Sequence, residues 1–262
     1  MANPEGTPIW YELMTADPDA SKAFYDDVIG WTVGPQPSDG QDYRMIDSGS
    51  GGGMVGGVMR LTEDMQSHGA KPTWLFYIGV NDVDASVEKI KAAGGSLLMP
   101  AWDIPGIGRI AMVADPQGIP FYVMRGTSDE SSTAFDRMGM GKCNWNELTT
   151  SDQAAGNAFY ATVFGWAYPD KMSMGPGRDY IFVNVGDKMI GATMNASTDG
   201  EPLGWRFYFR APDIEEAAAK VTRNGGIVHA GPMEVPGGDR IIVASDPHNV
   251  MFGVVGPGNQ GA

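Results

Sequence analysis

The chain has 262 residues, enough for two domains with a core each, and its 42% hydrophobic and 19% charged residues are those of an ordinary globular protein. A net charge of −14, with Lys and Arg scattered singly, disfavours phosphate backbones and anionic lipid surfaces, so neither nucleic acid nor membrane is an expected partner. No apolar run approaches the ~18 residues of a membrane span, Met1-Ala2-Asn3-Pro4-Glu5-Gly6 lacks the pattern of a signal peptide, and the single Cys143 has no partner for an internal disulfide, so a cytoplasmic location is expected.

Residues 8–16 read as a strand that ends at Asp17-Pro18. There Asp serves as N-cap and Pro takes the first helical position. The helix runs to Ile29 with Ala20, Phe24 and Val28 on one face, and Gly30 stops it. Apolar strands follow near 43–46 and 54–61. The intervening Ser48–Gly53 (SGSGGG) reads as a mobile flap over a pocket or as a long hairpin loop. With neither Lys-Ser/Thr nor a helix behind it, it is no phosphate loop. A strand at 74–80 leads to Asp82, which caps a helix to Ala93 stopped by Gly94-Gly95. Strands near 96–100, 110–114 and 121–124 complete the first module, the last two joined by Asp115-Pro116-Gln117-Gly118. The first module is placed at 1–126, a polar, turn-rich linker at 127–139 and a second module at 140–262. Cys143 falls in a strand and reads as a small buried hydrophobe.

The second module repeats the first. Trp10, Glu12, Asp17, Phe24-Tyr25 and Gly30-Trp31 recur at Trp145, Glu147, Asp152, Phe159-Tyr160 and Gly165-Trp166, an offset of 135. Trp74, Tyr77, Asp82, Gly94-Gly95, Arg109 and Asp115-Pro116 recur at Trp205, Tyr208, Asp213, Gly225-Gly226, Arg240 and Asp246-Pro247, now offset by 131. One connection is therefore four residues shorter in the second copy, a change that loops tolerate and cores do not. So many matches in order mean internal duplication. In the second copy Asp213 and Glu216 form a capping box. The order is β-α-β-β-β, twice per copy, with helices on one side of mostly antiparallel sheets. That is an α+β pattern. Phe24-Tyr25 and Phe159-Tyr160 are expected to pack helix on sheet.

Asp17-Pro-x-x-Ser-x-x-Phe-Tyr-x-x-x-x-Gly30-Trp31, Val80-x-Asp82 followed by Gly94-Gly95, and Asp115-Pro-Gln-Gly118 span the first module in order, and with their counterparts in the second copy they cover nearly the whole chain. Together they resemble the vicinal-oxygen-chelate superfamily, which groups glyoxalases, bleomycin-resistance proteins and dioxygenases. The likeness is to its two-module "hydroxylase" or glyoxalase-like branch, of the mycobacterial culture-filtrate antigen type. The resemblance implies tandem modules, each of two βαβββ units forming an open curled barrel around a cavity. It also implies divalent-metal ligands on the first and last strands of each unit, the first of them seven residues before the capping Asp. Here those positions hold Trp10, Leu75, Trp145 and Arg206. The last strands, near 54–61, 121–124, 189–194 and 250–254, contain no carboxylate. His68, His229 and His248 lie apart, and a divalent site needs three or four converging ligands. No metal and no cofactor is expected.

Alternation along a strand places Trp10 with Glu12 and Trp145 with Glu147 on one face. The resemblance implies that this face lines the cavity, with Leu75, Tyr77 and Tyr122 in the first copy and Arg206 and Tyr208 in the second. Aromatic faces suit a small, partly apolar or cationic molecule, and a buried Glu12 or Glu147 can serve as general acid or base. The same glutamates equally fit the structural role of accepting hydrogen bonds in a core. Arg206 reads either as a ligand contact or as a partner for Glu147. Arg109 and Arg240 read as contacts to an anionic ligand or as surface ion pairs. The leading expectation is a metal-independent protein binding a small, partly apolar molecule in an aromatic-lined cavity, a monomer or a homodimer. The alternatives are an enzyme acting through Glu12 or Glu147, a metal-dependent lyase or dioxygenase with ligands elsewhere, and a scaffold whose surface matters.

Overall fold

The computed structural model describes residues 3–49, 51–198 and 201–258. Met1 and Ala2 of the N-terminal expectation and Ser50 of the glycine-rich loop lie outside them. The first copy runs β1 (Pro8–Thr15), α1 (Pro18–Ile29), β2 (Thr32–Val33), β3 (Tyr43–Asp47), β4 (Met54–Arg60), α2 (Glu63–Ser67), β5 (Thr73–Gly79), α3 (Val83–Ala92), β6 (Ser96–Ile104), β7 (Gly108–Ala114) and β8 (Pro120–Gly126). The second runs β9 (Cys143–Thr150), α4 (Gln153–Phe164), β10 (Lys171–Ser173), β11 (Asp179–Val185), β12 (Lys188–Asn195), β13 (Gly204–Arg210), α5 (Ile214–Arg223), β14 (Ile227–Glu234), β15 (Arg240–Ser245) and β16 (Met251–Gly256).

The long helices start where the aspartates stand. Asp17, Asp82, Asp152 and Asp213 each accept the backbone N–H three residues on, from Ala20, Ala85, Ala155 and Glu216. Gly30 (φ 87°) and Gly165 (φ 69°) close α1 and α4 in the left-handed conformation that glycine adopts without strain. Three short elements, β2, α2 and β10, were beyond the sequence patterns. Two to five residues carry too little periodicity to register.

The strands form two eight-stranded sheets, one from β1–β8 and one from β9–β16. The sheets are mixed: most neighbouring strands run antiparallel, as expected, and the parallel pairings join the ends of each unit. Within each βαβββ unit the last strand returns beside the first and parallel to it, as Glu12↔Gly57 in β1–β4 and Glu147↔Ala192 in β9–β12 show. The same holds for Tyr77↔Tyr122 in β5–β8 and Tyr208↔Gly253 in β13–β16.

Compactness cuts across the duplication. One unit comprises Met1–Ile9, Leu75–Ser132 and Trp145–Trp205, and the other Trp10–Trp74, Thr133–Asn144 and Arg206–Ala262. Each unit thus takes one βαβββ unit from either copy. The two cores are built alike. In the first, the buried Tyr160 hydroxyl of α4 accepts from Trp205 Nε1 at 3.1 Å and donates to Asp115 Oδ2 at 3.2 Å. In the second, Tyr25 of α1 accepts from Trp74 Nε1 at 3.0 Å and donates to Asp246 Oδ2 at 3.2 Å. Trp166 stacks on Tyr160 with centroids 4.8 Å apart, and Trp31 on Tyr25 at 5.6 Å. The helix aromatics therefore do pack on sheet, as expected, but on strands of both copies: Tyr160 also meets Phe121, and Tyr25 meets Phe252.

Among the buried helix positions at which the cores differ is Ser21. In α1 the Ser21 hydroxyl donates to Thr15 Oγ1 at 3.0 Å. In α4 the corresponding residue is Gly156. A Cβ there would meet Gln117 Oε1 at 3.6 Å and Thr150 Oγ1 at 3.9 Å, ordinary contact distances. Both oxygens are buried and have no partner among the described residues. Gly156→Ser should therefore raise stability by about 0.5–1 kcal/mol, from helix propensity and a new hydroxyl partner. Urea unfolding measures it, and a midpoint shifted downward would show that the gap is not available.

Candidate functional site

The faces that carry the sequence candidates can be built one half-sheet at a time. On β9–β12, Trp145 Nε1 donates to Tyr180 OH at 2.6 Å, and Tyr180 OH donates to Glu147 Oε2 at 2.8 Å. Phe182, two residues beyond Tyr180 on the same face of β11, completes an aromatic group. Ring centroids are 6.5 Å apart for Trp145 and Tyr180, nearly parallel, and 6.0 and 5.9 Å for the edge-on contacts of Phe182 with each. All three rings are half-buried, with Met172 and Met194 beside them, whereas Glu147 is buried at 6% exposure. A half-buried cluster of three rings around one carboxylate offers apolar area together with a directed polar contact.

On β1–β4 the same plan is simpler. Trp10 Nε1 donates to Tyr43 OH at 2.7 Å. The Tyr43 ring lies across Gly57 of β4, where a Cβ would collide with it. The exposed Met45 stands where Phe182 stands in the second copy, and Glu12 is buried at 1% exposure. On β5–β8, Leu75, Tyr77 and Tyr122 are all buried, Tyr77 and Tyr122 stack at 4.4 Å, and Trp102 meets Tyr122 edge-on at 6.5 Å. That face is filled by its own rings. On β13–β16 the buried Tyr208 ring lies over Gly253, the residue that replaces Tyr122, and Arg206 is half-buried. Tyr43, Tyr180 and Phe182 were missed from sequence. Alternation on 178–184 would have placed Tyr180 and Phe182 on one face, but nothing local says that this face meets Trp145.

Arg109 bonds Asp84 at 2.8 and 2.9 Å and Asp103 at 3.1 Å, and Arg240 pairs with Glu215. Both are surface ion pairs. The Ser48–Gly53 segment is a hairpin connection. Ser48 N–H donates to Gly53 O, and the buried Lys142 ammonium donates to Gly53 O at 2.8 Å and Met54 O at 3.0 Å. Burial lowers the Lys142 pKa, against the pull of Asp47 and Asp136. Cys143 is buried at the start of β9.

Among the described residues no three His, Cys, Asp or Glu side chains are grouped so that they could hold a metal ion. The donor chemistry at the implied ligand positions also does not fit a divalent ion. Trp10 and Trp145 present indole N–H donors already given to Tyr43 and Tyr180, Leu75 has no donor atom, and Arg206 is a cation. Among the described residues no helix is long and apolar enough to cross a membrane.

Paired βαβββ units in a duplicated chain, with aromatic faces on mixed sheets, define a glyoxalase-type protein. The chain belongs to the Glyoxalase/Bleomycin resistance protein/Dioxygenase superfamily, whose profile matches residues 8–123 and again 142–254. It is 34% identical over 258 residues to CFP32 of Mycobacterium bovis, a protein carrying a provisional glyoxylase name, with 98% of this chain and 97% of that one covered. It is 30% identical over 261 residues to the anthracycline biosynthesis protein DauV of a Streptomyces species, covering 95% and 93%. Among solved structures, the 2,3-dioxygenase LapB of Pseudomonas sp. KL28 superimposes with a TM-score of 0.67 at 14% identity, over 100% of this chain and 96% of that one. The Mn(II)-bound glyoxalase of Novosphingobium aromaticivorans gives 0.64 at 17%, over 97% and 83%. These two likenesses are of fold.

Proposed function

We propose that this protein binds a small, planar, partly apolar molecule on the aromatic face of its second copy and does so without a metal. The observation that carries the proposal is the half-buried group Trp145, Tyr180 and Phe182 gathered around the Glu147 carboxylate. Stacking on such rings contributes about 0.5–1.5 kcal/mol per pair beyond burial, and one carboxyl group fixes orientation. The likeness to an anthracycline biosynthesis protein supports a polycyclic aromatic as the ligand class. Arg206 and Tyr208 on β13 are the second-copy candidates of the opposite half. Leu75, Tyr77 and Tyr122 serve packing, since the β5–β8 face is filled by its own rings, and Trp10 and Glu12 rank below their second-copy counterparts because Met45 stands where Phe182 would complete the aromatic group.

The test is equilibrium dialysis of chelator-treated protein against 1,4-dihydroxyanthraquinone, with and without added Mn(II) or Zn(II). Binding should be the same in either case. Phe182→Ala or Trp145→Ala should weaken it about tenfold, the equivalent of one or two ring contacts. Binding that needs the metal, or that ignores both substitutions, overturns the proposal. A second reading, an enzyme in which Glu147 moves a proton, is favoured by the Tyr180–Glu147 hydrogen bond. Glu147 would accept a proton at Oε2, where Tyr180 OH now donates. Turnover lost in Glu147→Gln with ligand binding retained would mark it.

A further inference from the structure

On the β9–β12 face, the end of the β10–β11 hairpin carries a charge that no described residue pairs with. Arg178, Tyr180 and Phe182 alternate along the end of the β10–β11 hairpin and β11, so their side chains share the face of Trp145 and Glu147. The hairpin holds Arg178 in place by its backbone: Met174 N–H donates to Arg178 O at 2.8 Å and Arg178 N–H to Gly175 O at 3.1 Å. Its side chain is half-buried. Nε is shut off from water and has no hydrogen-bond acceptor among the described residues, and no carboxylate among them pairs with the guanidinium. The adjacent acid, Asp179, points to the other face and pairs with Lys171 at 2.7 Å. A buried N–H donor left unpaired costs about 1–3 kcal/mol, more when charged. The other arginines whose pairings are described above, Arg109 and Arg240, have acids against them. In the first copy the corresponding position is the exposed, neutral Gln41. The cation therefore belongs to the second copy alone, on the same row as its half-buried rings.

We infer that Arg178 is the anion-recognising residue of this face: the ligand is a planar aromatic that carries a carboxylate or ionised phenol, whose oxygen accepts from the Arg178 guanidinium while the ring system lies on Tyr180 and Phe182. Planar guanidinium donors match such oxygens and strengthen in a site shielded from water. The inference rests on the binding role proposed above and adds the charge of the ligand. Selectivity would be local, because a chain with net charge −14 otherwise repels an anion. Asn184, whose Oδ1 is also buried without a partner among the described residues, lies six residues further on, about 20 Å away and past the bulge at Val183/Asn184, and takes no part in anion recognition.

The experiment compares anthraquinone-2-carboxylate with its neutral carboxamide by equilibrium dialysis on the full chain. The carboxylate should bind at least tenfold more tightly. Arg178→Gln should abolish that preference by weakening the carboxylate alone, Arg178→Lys should keep part of it, and Asn184→Ala should leave it unchanged. Circular dichroism and the unaltered carboxamide affinity guard against a folding defect. Equal affinities for the two probes, or a preference that survives Arg178→Gln, overturn the anion assignment and leave the aromatic binding face standing. If neither probe binds, the binding role falls and this inference with it.

Discussion

Asp115→Ala should destabilise the protein by about 3–4 kcal/mol, and Tyr160→Phe by about 2 kcal/mol. Asp115 is buried in the turn before β8. Its Oδ1 accepts the backbone N–H groups of Gln117 and Ile119, both at 2.9 Å, and its Oδ2 accepts the Tyr160 hydroxyl. Removing the carboxylate strands three donors, whereas removing the hydroxyl strands only the Trp205 indole N–H and one carboxylate oxygen. Burial raises the pKa of Asp115, and burial followed by the Asp115 charge raises that of Tyr160. A carboxyl whose folded pKa lies above its unfolded value of 3.8 favours folding when protonated. The charge opposes folding at neutral pH, and stability from this group increases as pH falls through its folded pKa. Urea unfolding at pH 7 and pH 4.5 checks both statements. The wild type should gain from Asp115 on acidification, a gain absent in Asp115→Ala. The second unit repeats the arrangement with Tyr25, Trp74 and Asp246, so Asp246→Ala should match it in size. An effect below 1 kcal/mol at both aspartates would mean that the turns hold without them.

Arg44→Met should lower stability by about 3–5 kcal/mol. Arg44 is among the largest fully buried side chains, on the helix-facing side of β3. Its Nε and Nη2 bond the two Asp42 oxygens at 2.8 and 3.1 Å, and Nη1 bonds Asp19 at 2.6 Å. Without Arg44, the buried Asp42 carboxylate keeps only Arg60, whose Nε lies 3.0 Å from Oδ2. The sign is opposite to that at Asp115. The Arg44 hydrogen bonds, ahead of the opposing burial, hold the Asp42 carboxyl below its usual 3.8, and Asp42 in turn holds the Arg44 pKa up. A depressed folded pKa contributes stability that is full above the unfolded value and is lost as pH falls through the folded one. Arg44→Met should therefore cost most at pH 7, and its deficit should narrow below pH 4. Acid titration of the unfolding midpoint measures this, and a deficit independent of pH would assign the loss to packing instead.

The sequence by itself determined what short-range physics writes into a chain. The four capping aspartates, the glycine stops and the period-two strands are local, and they predicted the order of elements within a few residues. The duplication follows from the spacing of Trp10, Glu12 and Asp17 against Trp145, Glu147 and Asp152, and the motifs at 17–31, 80–95 and 115–118 carry the family resemblance. Alternation also placed Trp with Glu on one face in both copies. Tertiary structure decided the rest. Tyr180 reaches Trp145 across 35 residues and Tyr25 reaches Asp246 across 221, distances in sequence over which no local signal operates. The register of β11 on β12 brings Phe182 beside Ala192 and so to Glu147, and it leaves Arg178 on the same row. Which βαβββ units share a core is likewise invisible in a repeat whose halves are nearly equivalent. It shows only in the packing of particular rings across the copies, such as Tyr160 on Phe121 and Tyr25 on Phe252.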